Sequence, residues 1–168
     1  MKVIAQGAEA ILYLDVKKKS KEKGNKKAKG QTKDSTVYYH IVKHRFKKEY
    51  RIPEIDNSLR KFRTKREAKV INKLKKLNFP VPELIAADEK EMKIAMQHLK
   101  GEKVRDIFHE EHVNLSKEIG KRVGELHKAG IVHGDLTTSN MIKTDNKIFF
   151  IDFGLSFFSE KDEDLSLI

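Results

Sequence analysis

Apolar and β-branched residues cluster over residues 2–5, 10–16 and 36–43 of the 168-residue chain, enough to predict three short strands, the first two joined by a turn at Gln6-Gly7-Ala8-Glu9. Between the second and third strands, residues 17–33 offer Ala28 as their only apolar side chain, so this stretch is expected to be a disordered, lysine-rich loop at a hairpin tip. Asp56-Asn57-Ser58 provides a cap, after which Leu59, Phe62, Val70, Ile71, Leu74 and Leu77 recur at helical spacing. They predict a helix of about five turns that Pro80 and Pro82 terminate. Strands are expected at 83–87 and 92–97 around Asp88-Glu89-Lys90-Glu91, then a flexible junction at Gly101. A short helix near 103–111 follows, and a longer one over 116–129 with Gly130 as its C′ residue. Ile119, Val123 and Leu126 form its buried stripe, and Gly120 and Gly124 are expected to permit close backbone approach. Strands, helix, strands, junction and helices make a two-lobed α+β layout, with lobes at 1–96 and 97–168.

Chemistry concentrates in residues 131–155, IVHGDLTTSNMIKTDNKIFFIDFGL. Residues 141–144 and 148–151 read as a hairpin turning at Asp145-Asn146-Lys147, and a turn centred on Asn146 sets Asn140 opposite Asp152. An amide oxygen beside a carboxylate is hard-oxygen ligation suited to Mg²⁺ carrying nucleotide phosphates. Asp135, five residues before Asn140, is then placed to orient a hydroxyl or a water. Each of the three alone could be an ordinary turn residue; their joint spacing argues otherwise.

Composition removes several classes of function. There is no cysteine, hence no disulfide framework, zinc–thiolate site or cysteine nucleophile, and a reducing compartment such as the cytoplasm is expected, with the nucleus added for a eukaryotic source. No apolar run approaches the ~20 residues of a membrane span, so no membrane partner is expected. The net charge of +11 is uneven: residues 17–33 hold nine lysines against Glu22, and residues 43–76 hold fourteen Lys/Arg against four acids. A basic front half facing a polyanion fits this split, as does a merely solvated lysine face.

Asp135-x4-Asn140 followed by Asp152-Phe153-Gly154 resembles the catalytic loop and metal-binding segment of the protein-kinase superfamily. HGDLTTSN, together with VKHRFKKEYR-IPEID and RTKREA, is similar to the kinase/ATPase subunit family of the KEOPS tRNA-modification complex, over about residues 6–155. The resemblance implies a two-lobed protein-kinase-like fold with a minimal, shortened C-terminal lobe, ATP and Mg²⁺ as cofactors, and Asn140 and Asp152 as the metal ligands. It makes Lys43 the lysine on the α and β phosphates and Glu67 its helix partner; Glu67 also falls on the inward face with Val70 and Ile71, where a lone carboxylate is costly. The competing reading of Thr64-x-x-Glu67 is a capping box opening a helix at residue 65. Gln6, Gly7 and Ala8 fall over the phosphates, Gln97 to Leu99 match the segment that bonds adenine through its backbone, and His133 braces the loop instead of serving as a base.

The implied function is an atypical serine/threonine kinase or ATPase supporting threonylcarbamoyladenosine formation on tRNA. Its implied partners are KEOPS subunits, chiefly the threonylcarbamoyl transferase subunit, and tRNA through the basic first lobe. Gly134 replaces the arginine with which conventional kinases read an activation-loop phosphate, and fourteen residues after Gly154 leave no room for peptide-docking helices. ATP hydrolysis is therefore favoured over protein phosphorylation, and Phe157, Phe158, Leu165, Leu167 and Ile168 are expected to lack packing partners. Two alternatives are a non-catalytic ATP-binding scaffold for tRNA, and a small-molecule phosphotransferase of aminoglycoside or choline kinase type, which carries a larger acidic C-terminal lobe.

Overall fold

A computed structural model describes residues 1–18, 37–145 and 147–159. The lysine tract expected as a loop lies outside these residues from 19 onward, as do Asn146 and the apolar residues at 165–168.

Strands β1 (Lys2–Gln6), β2 (Ile11–Lys18), β3 (Val37–His44), β4 (Leu84–Asp88) and β5 (Lys93–Gln97) form an antiparallel sheet in the order β1-β2-β3-β5-β4. Asp88 makes the β4–β5 turn by accepting the backbone N–H groups of Lys90 (2.8 Å) and Glu91 (2.9 Å), an Asx turn.

Helix α1 (Pro53–Lys76) crosses between β3 and β4 and begins earlier than Asp56-Asn57-Ser58 suggests. Pro53 starts it, since a missing N–H costs nothing in the first turn. No side chain caps it, and Asp56 is buried inside, 2.7 Å from Arg60 Nε. The expected apolar stripe holds only in the second half: Val70, Ile71 and Leu74 are buried, whereas Leu59, Phe62 and Leu77 are exposed. Up to Glu67 the inward face is polar, made of Asp56, Thr64 and Glu67. Thr64 lies eleven residues into the helix with Oγ1 donating to the Arg60 carbonyl (2.8 Å), so it opens no capping box.

Beyond Gln97 the chain forms β6 (Glu102–Lys103), α2 (Val104–Lys128), β7 (Ile131–Val132), β8 (Met141–Lys143), β9 (Ile148–Phe150) and β10 (Phe157–Phe158). The two expected helices are one, interrupted at Glu111 by non-helical dihedrals (φ −122°, ψ 20°). Gly130 does end it in the left-handed conformation (φ 65°), its N–H on the His127 carbonyl. Gly120 and Gly124 are exposed, and a Cβ at either would meet nothing within 4 Å, so they serve no close approach. Strands pair in the order β6-β8-β9, and β10 pairs with β7. Among the described residues no helix is long and apolar enough to cross a membrane.

A single core joins the sheets. Val70, Ile71 and Leu74 of α1 meet Phe79, Val81, Leu126, Ile131, Phe150 and Phe153, and the rings of Phe79 and Phe150 stand 5.3 Å apart. The Phe150 N–H donates to the Pro80 carbonyl (2.9 Å), so the segment that ends α1 also anchors β9. At the far side Arg66 Nη1 donates to the Ser156 carbonyl (2.8 Å), and the ammonium groups of Lys69 and Lys73 lie 5.3 and 4.6 Å from the Phe158 ring. Phe158 therefore has partners that the sequence reading denied it.

Candidate active site

Lys43 is the hub. It points off β3 into the space beneath the sheet, nearly buried, with Nζ 3.2 Å from both Glu67 oxygens and 2.6 Å from Asp152 Oδ1. Glu67 reaches it from α1 at 1% exposure, a burial that no carboxylate tolerates without cations. A second cation stands beside the first: Arg45, 2% exposed, also donates to Glu67 Oε2 and reaches Thr64 Oγ1 at 3.4 Å. Period-two geometry puts residue 45 on the same side of the chain as Lys43. That spacing was the available signal for Arg45, which the sequence reading missed. Gly154 makes room for it, because a Cβ there would lie 2.7 Å from Arg45 Nη2.

Asp152 has left-handed dihedrals (φ 65°, ψ 62°), uncommon for a residue with a side chain and typical of functional loops. Burial raises its pKa, but Lys43, Arg45 and the Gly154 N–H outweigh this and hold the carboxyl below its ordinary value, hence ionised at neutral pH.

The loop that carries Asp135 and Asn140 leaves β7, whose Ile131 and Val132 are fully buried. His133 continues inward, its Nε2 donating to the Ile151 carbonyl (3.1 Å) and its ring 4.6 Å from that of Phe153. Desolvation lowers its pKa against the opposing pull of the Ile151 carbonyl, Asp152, Asp135 and Glu67, which keeps the ring neutral. Gly134 follows at φ 77°, and a Cβ on it would stand 2.4 Å from the Leu155 carbonyl oxygen. No arginine fits at that position.

Asp135 and Asn140 are tied directly, with Asn140 Nδ2 donating to the Asp135 carbonyl (2.9 Å) and to its Oδ2 (3.0 Å). The hairpin behind them differs by one residue from expectation. Thr144 and Lys147 close it (N–H to carbonyl, 3.0 Å), and Met141 pairs with Phe150, so Asn140 faces Ile151 and not Asp152. Thr144 therefore closes against Lys147 and not against Ile148, which shifts the register by one. Asp152 leaves strand geometry at its left-handed turn, and the same cavity still receives both Asn140 and Asp152.

A cavity of about 390 Å³ is lined by Gln6, Gly7, Ala8, Lys43, Asp135, Asn140 and Asp152. An adjoining cavity of about 260 Å³, lined by Leu12, Glu67, Met96, Gln97, Leu99 and Ile142, shares Lys43 and Asp152 with it. All ten residues singled out from the sequence thus border one cleft, charged at one end and apolar at the other. In the loop over the charged end, the Gly7 N–H is committed to the Ala10 carbonyl (2.9 Å). At the apolar end Gln97 is occupied, its N–H on the Glu83 carbonyl (2.8 Å), whereas Leu99 makes no hydrogen bond among the described residues. Glu9, Arg63, Lys103 and Ser139 also line the cleft and were not foreseen.

The donor set fits a magnesium ion arriving with phosphates. Asn140 spends its amide nitrogen on Asp135, which leaves the amide oxygen unengaged, and Asp152 is a carboxylate with only Oδ1 given to Lys43. Among the described residues no group of three or more His, Cys, Asp or Glu could hold a metal alone; two protein oxygens need the remaining ligands from a nucleotide and water.

Residues 13–167 match the RIO domain family. The chain is 42% identical over 172 residues to the KEOPS complex subunit Bud32 of Pyrococcus abyssi, covering 97% of this chain and 70% of that protein. It is 42% identical over 127 residues to a probable serine/threonine-protein kinase BUD32 homolog of Archaeoglobus fulgidus, covering 76% of this chain and 63% of the relative. A probable bifunctional tRNA threonylcarbamoyladenosine biosynthesis protein of Methanothermobacter thermautotrophicus is 44% identical over 127 residues, which amount to 23% of its own length. Among solved structures, the Rio2 kinase–ADP/Mg²⁺–phosphoaspartate complex of Chaetomium thermophilum superposes with a TM-score of 0.69 over 98% of this chain and 52% of its own, at 17% identity.

Proposed function

Because this chain belongs to the RIO domain family of protein-kinase-like folds, we propose that it is an ATP- and magnesium-dependent atypical kinase or ATPase that serves threonylcarbamoyladenosine formation on tRNA as a KEOPS subunit. One observation carries the catalytic part. Lys43 joins Glu67 of α1 to Asp152 of the segment after β9, in a cleft that Asp135 and Asn140 also line. Lys43 then contacts the α and β phosphates while Glu67 and Arg45 fix its position. Leu99 offers its free backbone N–H to adenine, and Leu12, Met96 and Ile142 enclose the base. Asn140 and Asp152 would hold magnesium, which neutralises charge on the phosphates as the terminal group leaves. Asp135, oriented by Asn140, accepts a hydrogen bond from the attacking hydroxyl or water.

The lobes, divided near residue 97, supply adenine and phosphate contacts from opposite sides. The names of the relatives support the assembly, and the one of which this chain spans 23% supports direct association with a second tRNA-modifying unit. Magnesium-dependent ATP turnover, measured with and without tRNA and the transferase partner, tests the proposal. Asp152→Ala is expected to reduce turnover at least a hundredfold, because the magnesium carboxylate is then absent. Unchanged turnover in that variant overturns the metal assignment, and nucleotide binding without any turnover would favour a scaffold.

A further inference from the structure

The phosphate end of the cleft contains a cation whose partner is easily surrendered. Lys43 and Arg45 are both engaged by buried or ionised carboxylates, Glu67 and Asp152. Arg63, one helical turn before Glu67 on the same face of α1, also lines the cavity. Its Nη1 lies 3.0 Å from Glu9 Oε2, at the end of the loop that covers the phosphate space. Glu9 does not depend on it: Arg51 holds the same carboxylate with two hydrogen bonds, Nη2 to Oε1 at 2.8 Å and Nη1 to Oε2 at 3.3 Å. The Arg51 hydrogen bond is also the largest reason that the Glu9 carboxyl is held below its ordinary pKa. If Arg63 turns away, Glu9 keeps a bidentate partner and no charge is stranded.

We propose that Arg63 is the residue that recognises the terminal phosphate, exchanging its ion pair with Glu9 for the γ-phosphate of a bound nucleoside triphosphate. The inference rests on the nucleotide-binding reading above and deepens it. In this placement the α and β phosphates stay with Lys43 and only the γ-phosphate reaches Arg63, so the exchange happens only with the triphosphate, and Arg63 discriminates ATP from its own product. A guanidinium suits this task because it can fork onto two phosphate oxygens. The exchange also couples loop and helix, since Glu9 and Arg63 belong to the β1–β2 loop and to α1.

Titration of the full chain with the non-hydrolysable triphosphate AMP-PNP and with ADP, both with magnesium, tests the idea. Arg63→Ala should weaken AMP-PNP binding about tenfold, a loss of the order of one charge-assisted hydrogen bond, with ADP affinity changed less than twofold. Arg63→Lys, which keeps the charge but not the fork, should recover part of the preference. Equal losses for both nucleotides would make Arg63 a support for the loop and overturn the proposal, as would no loss for either. A wild-type protein that binds neither nucleotide would instead overturn the nucleotide reading itself, so the two failures are distinguishable.

Discussion

Glu67, 1% exposed, is tolerable only because Lys43 and Arg45 both reach it, and removal of either cation leaves a carboxylate whose desolvation is no longer repaid. Lys43 and Glu67 were legible from the sequence because each carried a separate cue, family wording for one and inward helical phase for the other. Arg45 was not, because arginine in a basic stretch reads as surface. His133 shows a different dependence on surroundings. Burial lowers its pKa, so the folded protein resists a proton that the unfolded chain accepts near pH 6.5. With more protons bound to the unfolded state, stability rises with pH there: the contribution is complete above about 6.5 and is lost as the pH falls through the folded value. Urea unfolding at pH 7.5 and 5.5 is expected to show the wild type weaker at the lower pH, and His133→Gln to show a smaller difference. His44, also lowered by burial and by Lys93, has the same sign and keeps the difference from vanishing.

Elements were legible in their existence and less so in their register and limits. The five strands of the large sheet fall on the runs expected for them, but the start of α1 at Pro53 was missed because its inward face as far as Glu67 is polar, and a hydrophobic template cannot see it. The β8–β9 register slipped by one because turn length, which decides register, was assigned from composition alone. Glycines divide in the same way. Gly134 and Gly120 look alike in the sequence, yet one has φ 77° and a Leu155 carbonyl where its Cβ would go, and the other is exposed in a helix with open space around it. Gly134→Ala is therefore expected to destabilise by about 2 kcal/mol or more, left-handed strain with a backbone clash added. Gly120→Ala should stabilise by about 0.5–1 kcal/mol by removing the entropy cost of a helical glycine. Chemical denaturation measures both, and equal effects would contradict the distinction.

At the scale of the whole chain, the charge asymmetry seen in the sequence acquires a location, with Lys61, Lys65, Lys69, Lys73, Lys75 and Lys76 all exposed along α1. Arg45 and Arg63 belong to the same basic stretch but turn inward to the cleft, so counting charge overstated the outer surface. Binding of tRNA should weaken linearly in log–log plots against salt, each duplex phosphate contact contributing about −0.9 to the slope, and Lys61→Glu with Lys65→Glu should flatten it while leaving ATP turnover unchanged. An affinity indifferent to salt would dismiss the polyanion surface. The β10 segment bears on how such a molecule is governed. Arg66 on the Ser156 carbonyl, two lysines against Phe158 and the pairing of β10 with β7 fasten α1 to the strand that follows Asp152. To swing α1 outward, these fastenings and the grip of Lys43 on Glu67 must fail together. α1 and the Asp152 segment are thus held in their relative places by several separate ties, and the loss of any one of them is not enough to part the two.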